Sequence, residues 1–320
     1  MRIPTRSATD VTDLPAIGTR VSLRYRREEG SVPPLTDVIG HLLQAGSRIR
    51  VQTKTGAVVE ISADDVVAVR ALSAAPVRTS QIRATEHAAA LAWPGTERQW
   101  LDGWLLRAAG GHTHRANSAV PLGVEAGTKS VPAIVDWYTQ RGLTPWLSVP
   151  DRLVILPRNV PPHLETVVMV RDLPMGHPDA MVALAPRPDA TWLALYERRV
   201  PVDVLTAVVD GDVVFATRDD AAVGRAAITA APDGTRWAGM SAVRVADTRR
   251  REGHARALCL ALLAWATERG AHRCYVQVLV DNAPAVALYE RRGFEPVGRT
   301  SVAPGIRIVR FERRNAAISP

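Results

Sequence analysis

The stretch "RRREGHARAL", Arg249–Leu258, sets three arginines and a glutamate against a glycine, and an apolar helix pattern follows at once. Before it, "WAGMSAVRV" reads as a strand ending at Val245. After it, Ala255, Leu258, Cys259, Leu262, Trp265 and Ala266 recur at helical spacing, and Gly270 stops the pattern. "RCYVQVLV" reads as the next strand. The arginine–glycine segment is therefore a strand-to-helix turn. Such a turn exposes the first N–H groups of a helix, which have no partner inside it, and the helix dipole favours an anion there. Gly253 and Ala255 keep side chains clear of an approaching phosphate, and Arg250 and Arg251 are expected to supply mobile countercharge. The dipole contributes roughly 0.3–2 kcal/mol, and each hydrogen bond to the charged group adds roughly 1.5–3 kcal/mol. An exposed, solvated connection has the same local sequence. Neither GxxxxGK[ST] nor GxGxxG occurs, so ATPase and dinucleotide readings lack their loops.

The chain has 320 residues, which as a prior suggests two or three domains, and its 47% apolar content excludes wholesale disorder. Net charge is +8, and Lys54 and Lys129 are the only lysines among 40 cations. Arginine binds phosphate bidentately, so an anionic partner is one reading; a GC-rich genome that spells its cations as arginine is another. Cys259 and Cys274 build no disulfide framework and are expected as buried, reduced thiols. The N-terminal "MRIPTRSATDVTDLP" has no apolar core segment, and no uncharged apolar run of about 18 residues follows anywhere. A cytoplasmic location without membrane attachment is the expectation.

From Ile17 to Leu72, "TRVSLRYR", "TDVIGHLL", "RIRVQTK", "AVVEIS" and "VVAVRAL" read as short strands separated by turn signals. The pattern predicts a small antiparallel barrel that resembles Src-homology-3 or Tudor barrels, with a one-turn helix at "ADD" (residues 1–75). Such a module can bind a peptide or protein, or brace a neighbour; its near-balanced charge argues against nucleic acid. "LSAAPVRTSQ" (72–81) reads as a linker, "IRATEHAAALAW" as a helix and "QWLDGWLLRAAGG" as strand-like at its end. Trp93, Trp100 and Trp104 are expected in a core or interface. His112 and His114 lack a third ligand at metal spacing, so no metal is expected.

"VDWYTQRGLTP" from Val135 and "VALYERRGFEP" from Val286 share Val, Tyr, Arg, Gly and Pro, with Tyr138 and Tyr289 in one register and Gly142 and Gly293 in the same one. Each reads as a helix ended by glycine and followed by a strand. A duplicated unit is the reading, with the first copy lacking the arginine turn.

"VRVADTRRREGHARALCLALLAWA" resembles the acyl-CoA-binding segment of GNAT superfamily N-acetyltransferases. Arg250, Gly253 and Ala255 fill their Q/R-x-x-G-x-G/A signature. "LVDNAPAVALYERRGFEPVGR" resembles the family's later segment through Asn282, Tyr289, Gly293 and Phe294. The resemblance runs from about Val170 to Glu312, and with the duplication it resembles tandem members of the superfamily. It implies an α/β fold: a GNAT-type mixed sheet with helices on both faces (169–320), preceded by a degenerate GNAT-like repeat (76–168) and the small barrel.

The resemblance further implies acetyl-CoA as acyl donor and a primary amine as acceptor. The pyrophosphate would sit on the N–H groups of Arg250, Arg251, Glu252, Gly253, His254 and Ala255. The pantetheine would run beside Val243, Arg244 and Val245, where the two central strands must splay. Asn282 would hydrogen-bond it, or would simply cap the helix ahead of Pro284. Tyr289 would protonate the departing thiolate, or would pack on the sheet as Tyr138 does. From a phenol near pKa 10 to a thiol near 8.5, that transfer is uphill by about 2 kcal/mol. The strand "WAGMSAVRV" carries no carboxylate, so no base is assigned; Ser241 is a candidate to orient a water. A cysteine nucleophile is not expected, since Cys259 falls on an apolar helix face. The competing classes are a non-catalytic acyl-CoA sensor and a nucleic-acid-binding protein using the arginine-rich C-terminal half. Acceptor specificity is expected in 174–203 and in the degenerate repeat.

Overall fold

The computed structural model describes residues 14–305 except 16, 54–55, 72–76, 158–160 and 174–180. The N-terminal stretch, much of the 72–81 segment and the start of 174–203 lie outside the described residues. Two compact units appear, Met1–Val77 and Arg78–Pro320.

In the first unit, β1 (Arg20–Arg26), β2 (Leu35–Gln44), β3 (Arg48–Thr53), β4 (Val58–Ser62) and β5 (Val66–Ala71) form one antiparallel sheet in the order β4-β3-β2-β1-β5. Alternation places Val21, Leu23, Val38, Leu42, Ile49 and Val51 inside. The one-turn helix is Ala63–Asp65, immediately before β5.

The second unit opens with α1 (Thr79–Ala92) and a three-stranded sheet, β6 (Glu97–Leu101), β7 (Trp104–Ala108) and β8 (Val120–Pro121). Asp102 and Gly103 both take positive φ, 45° and 77°, so this Asp-Gly pair makes a two-residue hairpin where only the end of the segment reads as a strand. Then come α2 (Val131–Thr139), β9 (Trp146–Pro150), β10 (Leu164–Asp172), β11 (Ala183–Ala185), α3 (Ala190–Tyr196) and α4 (Val202–Thr206). The rest is β12 (Asp212–Arg218), β13 (Ala222–Ala230), β14 (Arg236–Val245), α5 (His254–Glu268), β15 (Arg273–Leu279), α6 (Ala283–Glu290) and β16 (Glu295–Pro304).

Eight strands form one mixed sheet in the order β11-β12-β13-β14-β15-β10-β16-β9. Only β14 and β15 run parallel, joined by α5 as a crossover. β13, "AVGRAAITA", is buried along almost its whole length because helices cover both faces. Leu258, Cys259 and Leu262 of α5 pack on one face with Val214 and Met240; α1 and α3 cover the other, with Trp192 against Phe215. Alanines at 88, 89 and 92 let α1 lie close, and Thr229 Oγ1 donates to the Ala88 carbonyl at 2.8 Å. Arg225, wholly buried, donates to the carbonyls of Leu205, Ala92 and Ala207, tying α1 and α4 to β13. The pairing of β9 with β16 places 146–150 in the same sheet as β14.

Gly239 of β14 marks one close approach. A Cβ there would stand 2.1 Å from the Tyr275 hydroxyl oxygen, in a ring that is itself buried. Gly239→Ala is expected to destabilise the protein by about 1–3 kcal/mol through overpacking. Thermal unfolding checks it, and an unchanged melting temperature would contradict this account of the glycine.

Candidate active site

The parallel rungs between β14 and β15 run from Trp237–Arg273 to Met240–Val276 and stop. At that point Ala242 takes φ 54°, and the β13–β14 register shifts between Val223 and Arg225. The bulge turns Ser241–Val245 away from β15. Main-chain groups on that edge have no strand partner, which is what a strand-like ligand arm needs. A cavity of about 970 Å³ occupies the cleft.

The arginine turn closes one end. After a 3₁₀ turn at Asp247–Arg249, Arg251 has φ 70° and Gly253 φ 86°. Gly253 is the N-cap of α5 and places no capping side chain on the first N–H groups. Arg250, expected to supply mobile countercharge, has its Nη2 donating to Asp247 Oδ1 at 2.7 Å. Both partners are exposed, so the pair is weak enough for a phosphate to replace Asp247. Arg249 bridges Glu252 and Asp220, while Arg251 makes no ion pair among the described residues. His254 is buried, with Nε2 3.0 Å from Glu252 Oε2. Hydrogen bonds from His254 and Arg249 hold the Glu252 carboxyl below its usual range. Of the residues expected around the donor, Val243, Arg244, Val245, Arg250, Arg251, Gly253, His254, Ala255 and Asn282 line the cavity; Glu252 does not, because its side chain turns to Arg249 and His254. A β-branched residue at 253 would meet the left-handed penalty, about 1–2 kcal/mol for any side chain. Gly253→Val is expected to weaken acetyl-CoA binding about tenfold by calorimetry.

Asn282 caps α6, its Oδ1 accepting from Ala285 N at 3.3 Å, and also faces the cavity. Tyr289 lines the same cavity from α6, 6% exposed, with its ring edge-on to Phe294 at 5.4 Å. Burial raises its pKa well above 10, so it stays a neutral phenol at physiological pH. Both thiols are buried, and burial pushes Cys259 up to about 12, which leaves no thiolate for attack.

The other end of the cavity is built largely from the segment before β10. Glu86 of α1 is 3% exposed and lines the cavity. Its Oε1 accepts from Thr300 Oγ1 at 2.6 Å and its Oε2 from Gln277 Nε2 at 3.1 Å. Burial raises its pKa above the carboxylate range, more than those bonds and the nearby Arg107 and Arg115 lower it. Sequence reasoning missed this group because its partners lie about two hundred residues away. A signal existed: Ile82, Glu86, Ala89, Ala90 and Trp93 share one helix stripe, and a carboxylate in an apolar stripe needs a reason. Trp93 Nε1 donates to Ser241 Oγ at 3.3 Å, so Ser241 faces a tryptophan. Trp93 and Trp104 are buried, whereas Trp100, on the end strand of its small sheet, is 52% exposed. His114 packs against Trp146 and His163, and His112 Nδ1 lies 3.1 Å from the Arg199 carbonyl. No cluster of three metal-ligating side chains occurs among the described residues.

A parallel strand pair prised apart above an uncapped helix start is the arrangement that the resemblance to GNAT acetyltransferases implies. Residues 79–301 match the family described as "Probable histone acetyltransferase Rv0428c C-terminal", and residues 15–70 match "Rv0428c N-terminal Sm-like domain". The chain belongs to this GNAT acetyltransferase family. It is 54% identical over 281 residues to the "Probable histone acetyltransferase Rv0428c" of Mycobacterium tuberculosis, covering 88% of this chain and 92% of the relative. A shorter match, 36% over 61 residues, is to the "Uncharacterized N-acetyltransferase YobR" of Bacillus subtilis, covering 19% of this chain and 25% of that protein. In fold it is similar to a GCN5-related N-acetyltransferase from Kribbella flavida, with TM-score 0.51 and 15% identity over 72% of this chain and 96% of that one. The first unit, expected as a Src-homology-3 or Tudor barrel, thus matches an Sm-like family. No helix among the described residues is long and apolar enough to cross a membrane.

Proposed function

We propose that the protein acetylates a primary amine by direct attack, with Tyr289 as acid and Glu86 as base. The observation that carries this reading is one continuous cleft, opened where the β14–β15 ladder stops, with the arginine turn at one end, Tyr289 on its wall and Glu86 at the other end. Bound acetyl-CoA supplies the acetyl thioester. The N–H groups at the start of α5, with Arg250 and Arg251, hold its pyrophosphate, and the free edge of Val243–Val245 aligns the pantetheine. Asn282 adds a polar contact while capping α6. Glu86, whose raised pKa brings it nearer to an amine's, takes the proton of the incoming ammonium. The Tyr289 phenol O–H donates to the leaving sulfur.

The three-part division into a barrel (1–75), a degenerate repeat (76–168) and a catalytic GNAT domain (169–320) is part of the same proposal. Its support is the matching punctuation: α2, Gly142 at φ 65° and β9, against α6, Gly293 at φ 74° and β16. In the first copy Tyr138 Oη donates to the Arg107 carbonyl at 2.9 Å, so that phenol is already engaged. We place the enzyme in the cytoplasm, where acetyl-CoA is made and buried thiols stay reduced. The barrel is free to serve as a docking module for a peptide or protein.

Thiol release from acetyl-CoA, measured against small amines, amino acids and peptides, tests the activity. The M. tuberculosis relative is called a probable histone acetyltransferase, so a lysine-rich histone-tail peptide belongs in the panel. Turnover with at least one amine is expected. No release with any acceptor despite tight cofactor binding would favour a sensor instead.

A further inference from the structure

The acceptor end of the cleft carries an excess of positive charge. Arg107, Arg115 and Arg198 line it, and Glu86 is the sole carboxylate on the cavity wall among the described residues. None of the three arginines forms an ion pair among the described residues. Arg107, buried, spends its donors on Ser118 and the Trp93 carbonyl. Arg198 is exposed, and its side chain has no hydrogen-bond partner among the described residues. Arg115 is held from one side: its Nε donates to Gln277 Oε1 at 3.2 Å and its Nη2 to the Gln277 carbonyl at 3.4 Å, with Trp93 beneath at 5.8 Å. Its Nη1 has no partner among the described residues. Behind Trp93 lies Arg225, 4.3 Å from the ring, with a buried Nη1 also unpartnered. The phosphates of the donor account for the arginines of the turn at the opposite end. They do not account for these.

Gln277 sets a spacing. Its Nε2 donates to Glu86 and its Oε1 accepts from Arg115, so one side-chain amide separates the proton acceptor from the guanidinium. A ligand that places an ammonium at Glu86 and an anion at Arg115 needs those two groups only a few bonds apart. Resting on the assignment of Glu86 as base, we propose that the acceptor is a small amino acid-like zwitterion, its amine facing Glu86 and its carboxylate bound by Arg115, with Arg198 attracting it at the entrance. The acetylated product then keeps the carboxylate and loses the cation: the new N–C bond replaces C–S, one ammonium proton goes to Glu86, the Tyr289 phenol proton goes to the departing sulfur to make the thiol, and the second proton lost by the nitrogen restores the phenol. A lysine-rich tail would bring further cations against Arg107, Arg115 and Arg198, which like-charge repulsion opposes.

Thiol release by the full chain, with free amino acids paired against their own carboxamides, tests this. The acid of a turned-over pair is expected to show kcat/KM about tenfold to a hundredfold above its amide, the worth of one charge-assisted hydrogen bond. Arg115→Gln should raise KM for the acid by that factor and leave KM for the amide in place. Where Arg115→Gln no longer binds acetyl-CoA in a thermal-shift assay, Arg198→Gln, at an exposed site, decides through the same split. Equal kcat/KM for acid and amide, or a histone-tail peptide preferred over both, overturns the zwitterion while leaving the acetyltransferase reading intact. If no acceptor turns over, calorimetry on the coenzyme A complex decides: an acid binding no tighter than its amide overturns the proposal.

Discussion

Replacing Tyr289 by phenylalanine is expected to lower kcat by about 10²–10⁴-fold, the usual worth of a positioned acid, and to leave acetyl-CoA affinity unchanged. The substitution removes one hydroxyl from a ring whose packing on Phe294 a phenyl group reproduces. Burial dominates the shift in its pKa, with smaller raising effects from Cys259 and Cys274 and a lowering one from Arg115. The proton is therefore retained to well above pH 10, and Tyr289 produces no alkaline fall in rate below that. Steady-state thiol release checks the rate, and isothermal calorimetry checks the binding. A residue that only packs on the sheet would give full turnover as phenylalanine, and that result would remove Tyr289 from the chemistry.

Glu86→Gln is expected to lower kcat/KM by about 10²–10⁴-fold near neutral pH. Glutamine fits the site: its amide oxygen can accept from Gln277 and its amide nitrogen can donate to the Thr300 hydroxyl. The pH dependence separates chemistry from packing. Glu86 acts as base only when ionised, and burial raises its pKa, so activity rises with pH along a limb displaced above the ordinary carboxylate range. Glu86→Gln should abolish that limb. The sign for stability is opposite. A carboxyl whose folded pKa lies above its unfolded value favours the folded state while protonated, and this contribution is lost as pH rises from the unfolded pKa through the folded one. Glutamine has no such loss, so the variant should gain relative stability as pH rises. A preserved acidic limb in Glu86→Gln would assign the base elsewhere.

The candidate donor end was legible in the sequence because its elements are local. Arg250, Gly253 and Ala255 act within one turn, and the strand, turn and helix around them follow from periodicity and glycine alone. The barrel strands and the one-turn helix before β5 were legible for the same reason. Side-chain pairing at the turn was not, since Arg250 finds Asp247 only once the chain has folded into its 3₁₀ turn. The Asp102–Gly103 hairpin carried its signal in two residues, though its first strand, β6, is mostly exposed and lacks the apolar alternation that marks a buried one.

The acceptor end is different in kind. Glu86, Gln277 and Thr300 belong to α1, β15 and β16, and no spacing relates them. Sequence by itself determined the elements, the arginine–glycine turn and the family, because these depend on backbone preferences and apolar periods within a few residues. Only the tertiary structure decided where the sheet opens and which carboxylate faces the opening. A bulge at Ala242 breaks the β14–β15 ladder, and a helix more than 150 residues earlier closes over the gap. Burial then raises the pKa of a glutamate on an alanine-rich helix, a property of its surroundings that its neighbours in the chain do not encode.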